Sequence, residues 1–179
     1  MSNLHISVVG GENIDKSTLL FKLAEEKEYS NIFDQHVQQY DEIGFTPMSI
    51  SFKIENKYVP LVFYEMNSLS RYKYIRTIYF KRANAFILIY DLTNRQSFEI
   101  MKNLYFSSVK RKREEKNIPC FLLANKKDKE KEREVSFKEG ERFAKEESIN
   151  KFYEVSSNNS FVSIFDEFAK YIFYSIKQK

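Results

Sequence analysis

The sequence predicts an α/β fold in which helices cover a mostly parallel sheet. Short apolar runs alternate along the chain with segments of helical periodicity, a pattern typical of parallel strands joined by helices. Only three prolines and four glycines interrupt these segments, and the sequence contains no linker and no internal repeat. With 179 residues, 42% of them hydrophobic, the chain can bury a full core. We therefore predict one domain that spans residues 1–179.

Six strands are predicted, and two of them form a hairpin. The runs 48–55 and 58–65 are separated only by Asn56 and Lys57, and so tight a connection implies antiparallel pairing. The apolar runs 84–92 and 118–125 are expected to be buried central strands, and a short last strand is expected at 151–155. The segment 27–45 is polar, and we expect it to be irregular. The predicted strands are 5–9, 48–55, 58–65, 84–92, 118–125 and 151–155.

Helices are predicted from capping residues and from apolar periodicity. The first helix is expected at 16–26, directly after the first strand. Ser136 is followed three residues later by Glu139, a capping box that predicts a helix through Glu147. Near the C terminus, apolar residues recur on one helical face, which we assign to the core. This stripe consists of Phe161, Ile164, Phe165, Phe168, Ile172, Phe173 and Ile176.

The distribution of charge argues against a nucleic-acid-binding protein. The chain carries 29 basic and 25 acidic residues, for a net charge of only +4. Its densest charged runs, 110–116 and 126–134, mix both signs and contain no aromatic residues between the basic ones. Such runs are better explained as a solvated helix end and a loop. We therefore expect no nucleic-acid partner, and we expect the protein to be a monomer.

The chain has a single cysteine, Cys120, from which we infer the redox state of its compartment. Cys120 lies in an apolar run that predicts a buried strand, and it excludes an internal disulfide, which favours a reducing, cytoplasmic compartment. His5 and His36 are far apart in sequence, so no zinc site is predicted. No signal peptide or membrane span is visible. Because no cysteine follows Cys120 for prenylation, membrane attachment is not expected to be encoded in this chain.

Residues 8–17 match most of a phosphate-binding loop. That pattern is Gly, four residues and Gly-Lys-Ser/Thr, placed between a strand and a helix so that backbone N–H groups surround a phosphate. Gly10, Lys16 and Ser17 fit, whereas Asp15 replaces the second glycine. With that glycine absent, an ordinary strand-to-helix turn explains the segment about equally well. The candidate phosphate-binding residues are Gly10, Asn13, Asp15, Lys16, Ser17 and Thr18.

Two later segments complete a possible guanine nucleotide site. The sequence 125–128 (Asn-Lys-Lys-Asp) ends a buried strand about 110 residues after the phosphate loop, and α/β sheets bind ligands at the carboxyl ends of their strands. The Asp128 carboxylate could accept from both N1–H and the exocyclic amine of guanine, a pair that adenine does not offer. Asn125 would join the neighbouring loops, and the stem of Lys126 would lie along the base.

The third segment follows the last predicted strand. Ser156, Ser157 and Asn158 form a polar loop in which a backbone N–H, that of Ser157, could bond the guanine carbonyl oxygen. Polar loops of this kind are common, so a plain turn explains this segment equally well.

In this order, the three segments resemble those of small GTPases of the Ras superfamily, most closely the Rab branch. The stretches 76–84 and 87–98 add to the resemblance, which covers nearly the whole chain. It implies a P-loop GTPase (Ras-like) fold, a six-stranded, mostly parallel sheet with one antiparallel edge pair and five helices on both faces. It also implies GDP or GTP as the ligand, with Lys16 at the outer phosphates and Mg²⁺ held by Ser17. Protein effectors or regulators would bind through the switch regions.

The chain departs from this family at both switches. In the first switch Glu42 replaces the threonine that senses Mg²⁺ and the γ-phosphate, and the aromatic residue that packs on the base has only Tyr29 and Phe33 as candidates. In the second switch, 64–70, Glu65 replaces the aspartate that holds Mg²⁺ through water. Glu42 and Glu65 are therefore poor substitutes as metal ligands.

The remaining departures concern hydrolysis and affinity. Leu69 replaces the glutamine that orients the attacking water, so no catalytic residue is intact, and Ser68 replaces a glycine. Asp15 would repel a phosphate charge 4 Å away by about 4 kcal/mol at an effective dielectric of about 20, or roughly three orders of magnitude in affinity. Its side chain could instead rotate to solvent or pair with Lys16.

Two hypotheses follow from these departures. The first is an atypical Rab-like protein that binds guanine nucleotide with weakened affinity and negligible hydrolysis, a slow or static switch in vesicle trafficking or signalling. The second is a pseudo-GTPase, an interaction scaffold that binds no nucleotide. Under either hypothesis the second switch is expected to expose apolar side chains to protein partners, although Tyr72 and Ile75 could instead pack the switch helix on the sheet. These side chains are Met66, Leu69, Tyr72, Tyr74 and Ile75.

Overall fold

The computed structural model describes residues 4–27, 30–32, 44–158 and 161–177. Within these ranges one seven-stranded sheet is covered by five helices. The sheet order is β2-β3-β4-β1-β5-β6-β7; β3 pairs antiparallel with β2 and β4, and the other neighbours are parallel. The strands are β1 Leu4–Gly10, β2 Ser30–Ile32, β3 Phe45–Ile54, β4 Lys57–Met66, β5 Ala85–Asp91, β6 Cys120–Asn125 and β7 Lys151–Glu154.

The helices alternate with the strands after the hairpin. The third of them is one continuous rod of 22 residues, 95–116, whose middle third, Met101–Phe106, has π-helical hydrogen bonding. Short 3₁₀ turns precede the second helix at Ser70–Tyr72 and follow β6 at Lys127–Glu132. The helices are α1 Lys16–Glu25, α2 Lys73–Arg82, α3 95–116, α4 Phe137–Glu146 and α5 Val162–Lys177.

All six predicted strands are present, and β2 is added at the sheet edge. β2 lies in the polar segment that was expected to be irregular, because three residues are too few to show a periodicity. β3 begins at Phe45, three residues earlier than predicted. The added part of the strand contains Pro47, and a proline in the sequence argues against a strand. Pro47 is tolerated because it lies beyond Met48, the last β3 residue paired with β2. The hairpin turn is at Glu55 and Asn56, with Glu55 in the left-handed region at φ 56°.

The predicted capping box at the start of α4 is confirmed. The Ser136 Oγ accepts a hydrogen bond from the backbone N–H of Glu139 at 3.3 Å, and Glu139 accepts from the backbone N–H of Ser136 at 3.0 Å. The Arg95 guanidinium also donates to Glu139. Hydrogen bonds from Arg95, and then from Ser136, lower the pKa of Glu139 to about 2. The helix therefore has a stabilising acidic cap that stays ionised at neutral pH.

Apolar residues are buried on both faces of the sheet. One core cluster joins the sheet to α1 and α5, and the other joins it to α2, α3 and α4. The stripe on the C-terminal helix belongs to the first cluster as predicted, except at Ile176, which is 37% exposed near the end of α5. Cys120 is fully buried in β6, and this burial raises the pKa of its thiol to about 12.

The parallel strands place the candidate site at one edge of the sheet. The loops after β1, β4, β6 and β7 all leave from the carboxyl ends of neighbouring parallel strands. The phosphate loop, the second switch, the segment around Asp128 and the loop around Ser156 therefore converge there, where α/β sheets bind their ligands.

Candidate functional site

The tight turn of the phosphate loop leaves no room for a side chain at Gly10. A Cβ on Gly10 would lie 2.2 Å from Ile14 Cδ1 and 2.5 Å from the carbonyl oxygen of Ile89, so glycine is required at the start of the loop. Asn13 and Asp15 both have φ 57°, in the left-handed region. Among residues other than glycine, Asn and Asp tolerate this region best. Asp15 thus adopts a left-handed backbone conformation that glycine takes without strain.

Lys16 lies inside the hollow of this loop. Its side chain is buried, and Nζ donates to the carbonyl oxygen of Gly11 at 2.9 Å and approaches that of Gly10 at 3.5 Å. Burial lowers the pKa of Lys16, while the nearby carboxylates of Glu65, Glu12 and Asp15 act in the opposite direction. The structure therefore holds a cation where the resemblance implies that phosphates bind.

Asp15 turns toward Lys126. Its side chain is 47% exposed, and Oδ2 lies 3.4 Å from Lys126 Nζ. The same ammonium is 2.8 Å from Asp91 Oδ2 and 3.4 Å from the carbonyl oxygen of Asn13. Burial acts to lower the pKa of Lys126, but the hydrogen bonds and charges of Asp91 and Asp15 outweigh it and raise that pKa. Of the two ways foreseen for Asp15 to avoid the phosphates, exposure to solvent is found, and its cationic partner is Lys126 rather than Lys16.

Ser17 and Glu65 bring two oxygen groups together beside Lys16. Ser17 Oγ, in the first turn of α1, donates to Glu65 Oε1 on β4 at 2.8 Å. A hydroxyl and a carboxylate are the oxygen ligands that Mg²⁺ prefers, so these residues fit that ion. The longer side chain of Glu65 therefore still reaches the hydroxyl. Glu42, Tyr29 and Phe33 lie outside the described residues.

The segment after β6 is joined to both neighbouring loops. Asn125 is completely buried, and its Nδ2 donates to the carbonyl oxygen of Ile14 at 3.1 Å. Its Oδ1 has no hydrogen-bond partner among the residues described, which marks a place for a donor from water or a ligand. The backbone N–H of Lys127 donates to the carbonyl oxygen of Val155 at 3.0 Å. The side-chain amide of Asn125 thus links the phosphate loop to the segment expected to bind the base.

Asp128 lies at the surface and accepts hydrogen bonds on both of its carboxylate oxygens. Ser156 Oγ donates to Oδ1 at 2.5 Å, and Asn158 Nδ2 donates to Oδ2 at 2.7 Å. These two bonds lower the pKa of Asp128, so the group is ionised at neutral pH. The backbone between the two donors is held from α1, because Lys22 Nζ donates to the carbonyl oxygen of Ser157 at 2.7 Å.

Side chains from α2 and α3 hold the second switch by hydrogen bonds to its backbone carbonyl oxygens. Arg76 Nη1 donates to the carbonyl oxygens of Asn67 and Leu69, both at 2.7 Å, and Tyr105 Oη donates to that of Ser68 at 3.3 Å. Leu69 is 38% exposed and has no polar atom on its side chain with which to orient a water molecule.

Comparison with known proteins identifies the family. The model of the Ras family matches residues 5–174. The chain belongs to the Ras family. It is 30% identical to the Ras-related protein Rab-13 of Rattus norvegicus over 153 residues, 86% of this chain and 70% of that protein. It is also 30% identical to the Ras-related protein SEC4 of Candida albicans over 176 residues, 94% of this chain and 77% of that protein. The GTP-binding protein ypt2 of Schizosaccharomyces pombe is 28% identical over 162 residues, 88% of this chain and 74% of that protein.

These findings confirm the Ras-like fold and the distant likeness to Rab proteins. Ras-family proteins generally bind guanine nucleotide and Mg²⁺, and they contact effectors and regulators through their switches. In the part of the chain that the structure describes, every helix is too short or too polar to cross a membrane.

The apolar surface predicted for the second switch is smaller than expected in this Ras-family member. Met66 and Tyr72 are buried, with 1% and 8% of their surface exposed. Tyr72 packs against Gly44, at which a Cβ would lie 2.5 Å from Tyr72 Cδ1, so the alternative of internal packing is correct for this tyrosine. Leu69 and Tyr74 remain exposed, by 38% and 76%, whereas Ile75 is half-buried.

Sequence reasoning missed Glu12. A cavity of about 430 Å³ lies between the phosphate loop, Ser68 and α3, and among the described residues that line it only Glu12 is charged. The phosphate-loop pattern specifies Gly, Lys and Ser/Thr and leaves position 12 open, so the pattern gave no signal there. The added acid was nevertheless visible in the sequence. It brings a third carboxylate near Lys16, besides those of Glu65 and Asp15, on the side of the loop that faces the second switch.

Proposed function

We propose that this protein is an atypical Rab-like small GTPase that binds GDP and GTP with weakened affinity and hydrolyses GTP at a negligible rate. The observation that carries this proposal is the arrangement around Asn125 and Asp128. Asn125 is bonded to the phosphate loop, and the ionised carboxylate of Asp128 is held at the surface beside it. A carboxylate with two adjacent acceptor oxygens suits the paired donors of guanine.

The phosphate side of the site contains groups that favour nucleotide binding and groups that weaken it. Lys16 supplies a buried cation, and Ser17 and Glu65 would hold Mg²⁺, which when bound neutralises charge on the phosphates. Glu12 and Asp15 add negative charge to the loop, which disfavours an anionic ligand. The contact between Asp15 and Lys126 offsets part of that charge.

Slow hydrolysis is inferred from the second switch. Leu69 lacks a polar group, so nothing at this position orients water for attack on the γ-phosphate. The Cβ of Ser68 restricts a backbone turn for which the family uses glycine. A bound nucleotide would then be exchanged far more often than hydrolysed. We infer a slow or static switch in vesicle trafficking or signalling, whose effectors or regulators contact Leu69 and Tyr74.

A pseudo-GTPase scaffold is the second candidate. It is favoured by the concentration of carboxylates near Lys16, where Glu65, Glu12 and Asp15 all lie close enough to affect its pKa. In that case the cation would be neutralised by the protein itself, and the exposed switch residues alone would carry the function.

The deciding experiment measures nucleotide in the native protein. Freshly purified protein is extracted with acid and analysed by chromatography, and GDP, GTP and ATP are titrated separately in the presence of Mg²⁺. Stoichiometric or titratable GDP and GTP without ATP would support the proposal, and single-turnover assays with GTP would then measure hydrolysis. Asp128→Ala is the matched control, since it should remove guanine binding without affecting the core. A protein that is empty and ignores all three nucleotides would be a scaffold.

A further inference from the structure

We propose that Asn158 is a latch on the guanine site: its side-chain amide occupies the Asp128 carboxylate and must be displaced before a base can bind there. This inference rests on the proposed function, because it assumes that Asp128 is the group that binds guanine. It adds a residue that opposes binding within the same loop that was expected only to assist it.

The geometry places a donor of the protein where the donors of the base would bind. Asn158 Nδ2 is 2.7 Å from Asp128 Oδ2, and the Ser156 hydroxyl is 2.5 Å from Oδ1. Guanine needs both oxygens, one for N1–H and one for its exocyclic amine. The amide of Asn158 is the same kind of donor as that amine, a planar NH₂ group. In the described structure the side-chain amide of Asn158 therefore donates to this carboxylate in place of the amine of the base.

Exposure distinguishes the two donors. Ser156 is buried, with 3% of its surface exposed, so its hydroxyl approaches Asp128 from the protein side. Asn158 is exposed and so approaches from the side open to a ligand. Ser156 is accordingly a positioning residue that a bound base can leave in place. Asn158 is the residue that competes with the base.

The neighbouring backbone allows the latch to open without moving the whole loop. Lys22 holds the carbonyl oxygen of Ser157, and the backbone N–H of Asn158 donates to Ser156 Oγ at 3.0 Å. Neither of these two hydrogen bonds involves the side-chain amide of Asn158. Rotation of one side chain is therefore enough to free Oδ2, and the exposed amide can then be hydrated by water.

The test compares two substitutions in this network by binding of a fluorescent GDP derivative at fixed Mg²⁺ concentration. Asn158→Ala should tighten Kd by about three- to tenfold, the range expected for one exposed hydrogen bond to a carboxylate, mainly through faster association. Ser156→Ala should instead weaken binding, because it removes a positioning contact. Asn103→Ala, an exposed asparagine on α3 outside this network, is the matched control and should change nothing.

The outcomes separate the latch from the proposed function. If the wild-type protein binds GDP and Asn158→Ala binds equally or more weakly, the latch is wrong and the proposed function stands. If neither protein binds GDP, the proposed function is wrong and the latch falls with it. Tighter binding by Asn158→Ala than by the wild type supports both, whereas binding by Asn158→Ala alone supports the latch and contradicts the proposed function. Thermal melts exclude misfolding, since removal of an exposed side chain should leave the melting temperature nearly unchanged.

Discussion

We expect Asp15 to weaken nucleotide binding by much less than its position in the phosphate loop suggests. A carboxylate 4 Å from a phosphate charge costs about 4 kcal/mol at an effective dielectric near 20 but only about 1 kcal/mol in bulk water. The structure favours the lower figure, because the side chain is 47% exposed and lies 3.4 Å from the Lys126 ammonium. Removing the charge should therefore tighten GDP binding about fivefold, not a thousandfold.

Two substitutions separate the charge of Asp15 from its Cβ. Asp15→Asn removes the charge and keeps a side chain that tolerates φ 57°. Asp15→Gly removes both, and glycine should in addition raise the free energy of unfolding by about 1 kcal/mol because it relieves the left-handed conformation. We expect GDP to bind about fivefold more tightly to the asparagine variant, and up to tenfold more tightly to the glycine variant.

Calorimetric titration of GDP into the wild type and both variants, at constant Mg²⁺ and two salt concentrations, measures these effects. Because the carboxylate is half exposed, the gain should shrink at high salt. A gain of a hundredfold or more from Asp15→Asn would refute the reasoning, since it would place the carboxylate against the phosphates. Unchanged affinity in both variants would show that Lys126 already cancels the charge, or that the weakness lies elsewhere in the site.

Four further predictions concern other parts of the chain. Lys16→Met should abolish nucleotide binding in titrations yet lower the unfolding free energy by no more than about 1 kcal/mol, because burying an ammonium, which lowers its pKa, is itself costly. Leu69→Glu should leave the melting temperature nearly unchanged, whereas Tyr72→Ala should cost about 3 kcal/mol in denaturant unfolding; a reversed order would contradict the burial described. Glu139→Gln should cost about 1 kcal/mol at neutral pH. Because the folded pKa of Glu139 is about 2 and its ordinary value is 4.5, that difference should be full above pH 4.5 and vanish as the pH falls to 2. The Cys120 thiol should resist thiol reagents at pH 8 until the protein unfolds, and prompt labelling of native protein would contradict its burial.

Local patterns were sufficient to predict most of the fold. The tight connection predicted at Asn56 and Lys57 indicates a hairpin, and the structure has its turn one residue earlier, at Glu55 and Asn56. The capping box at Ser136 and Glu139 predicts a helix start in the same way. These signals depend on neighbours in sequence. A three-residue strand such as Ser30–Ile32 has no such signal, since its pairing partners, 48–50, lie elsewhere in the chain.

The sequence was enough to predict which loops meet at the edge of the sheet, but not the contacts between their side chains. Short motifs were enough to select the loop residues, because strand ends bring them to one edge of the sheet. Which carboxylate pairs with which ammonium depends on distances between loops, so the contact of Asp15 with Lys126 could not be foreseen. The same holds for Tyr72, whose burial depends on a glycine far away in sequence.

The contact between Tyr72 and Gly44 joins the second switch to the start of β3 and restricts which residue can stand at position 44. The backbone N–H of Asn67 also donates to the carbonyl oxygen of Gly44 at 3.0 Å, so the two segments are joined by a hydrogen bond as well as by packing. Any side chain at position 44 would displace the tyrosine ring, and φ 83° disfavours it further. A smaller residue at position 72 would open the space without relieving the backbone. Among relatives that share this packing, position 44 should stay glycine even where the residue at position 72 varies in size.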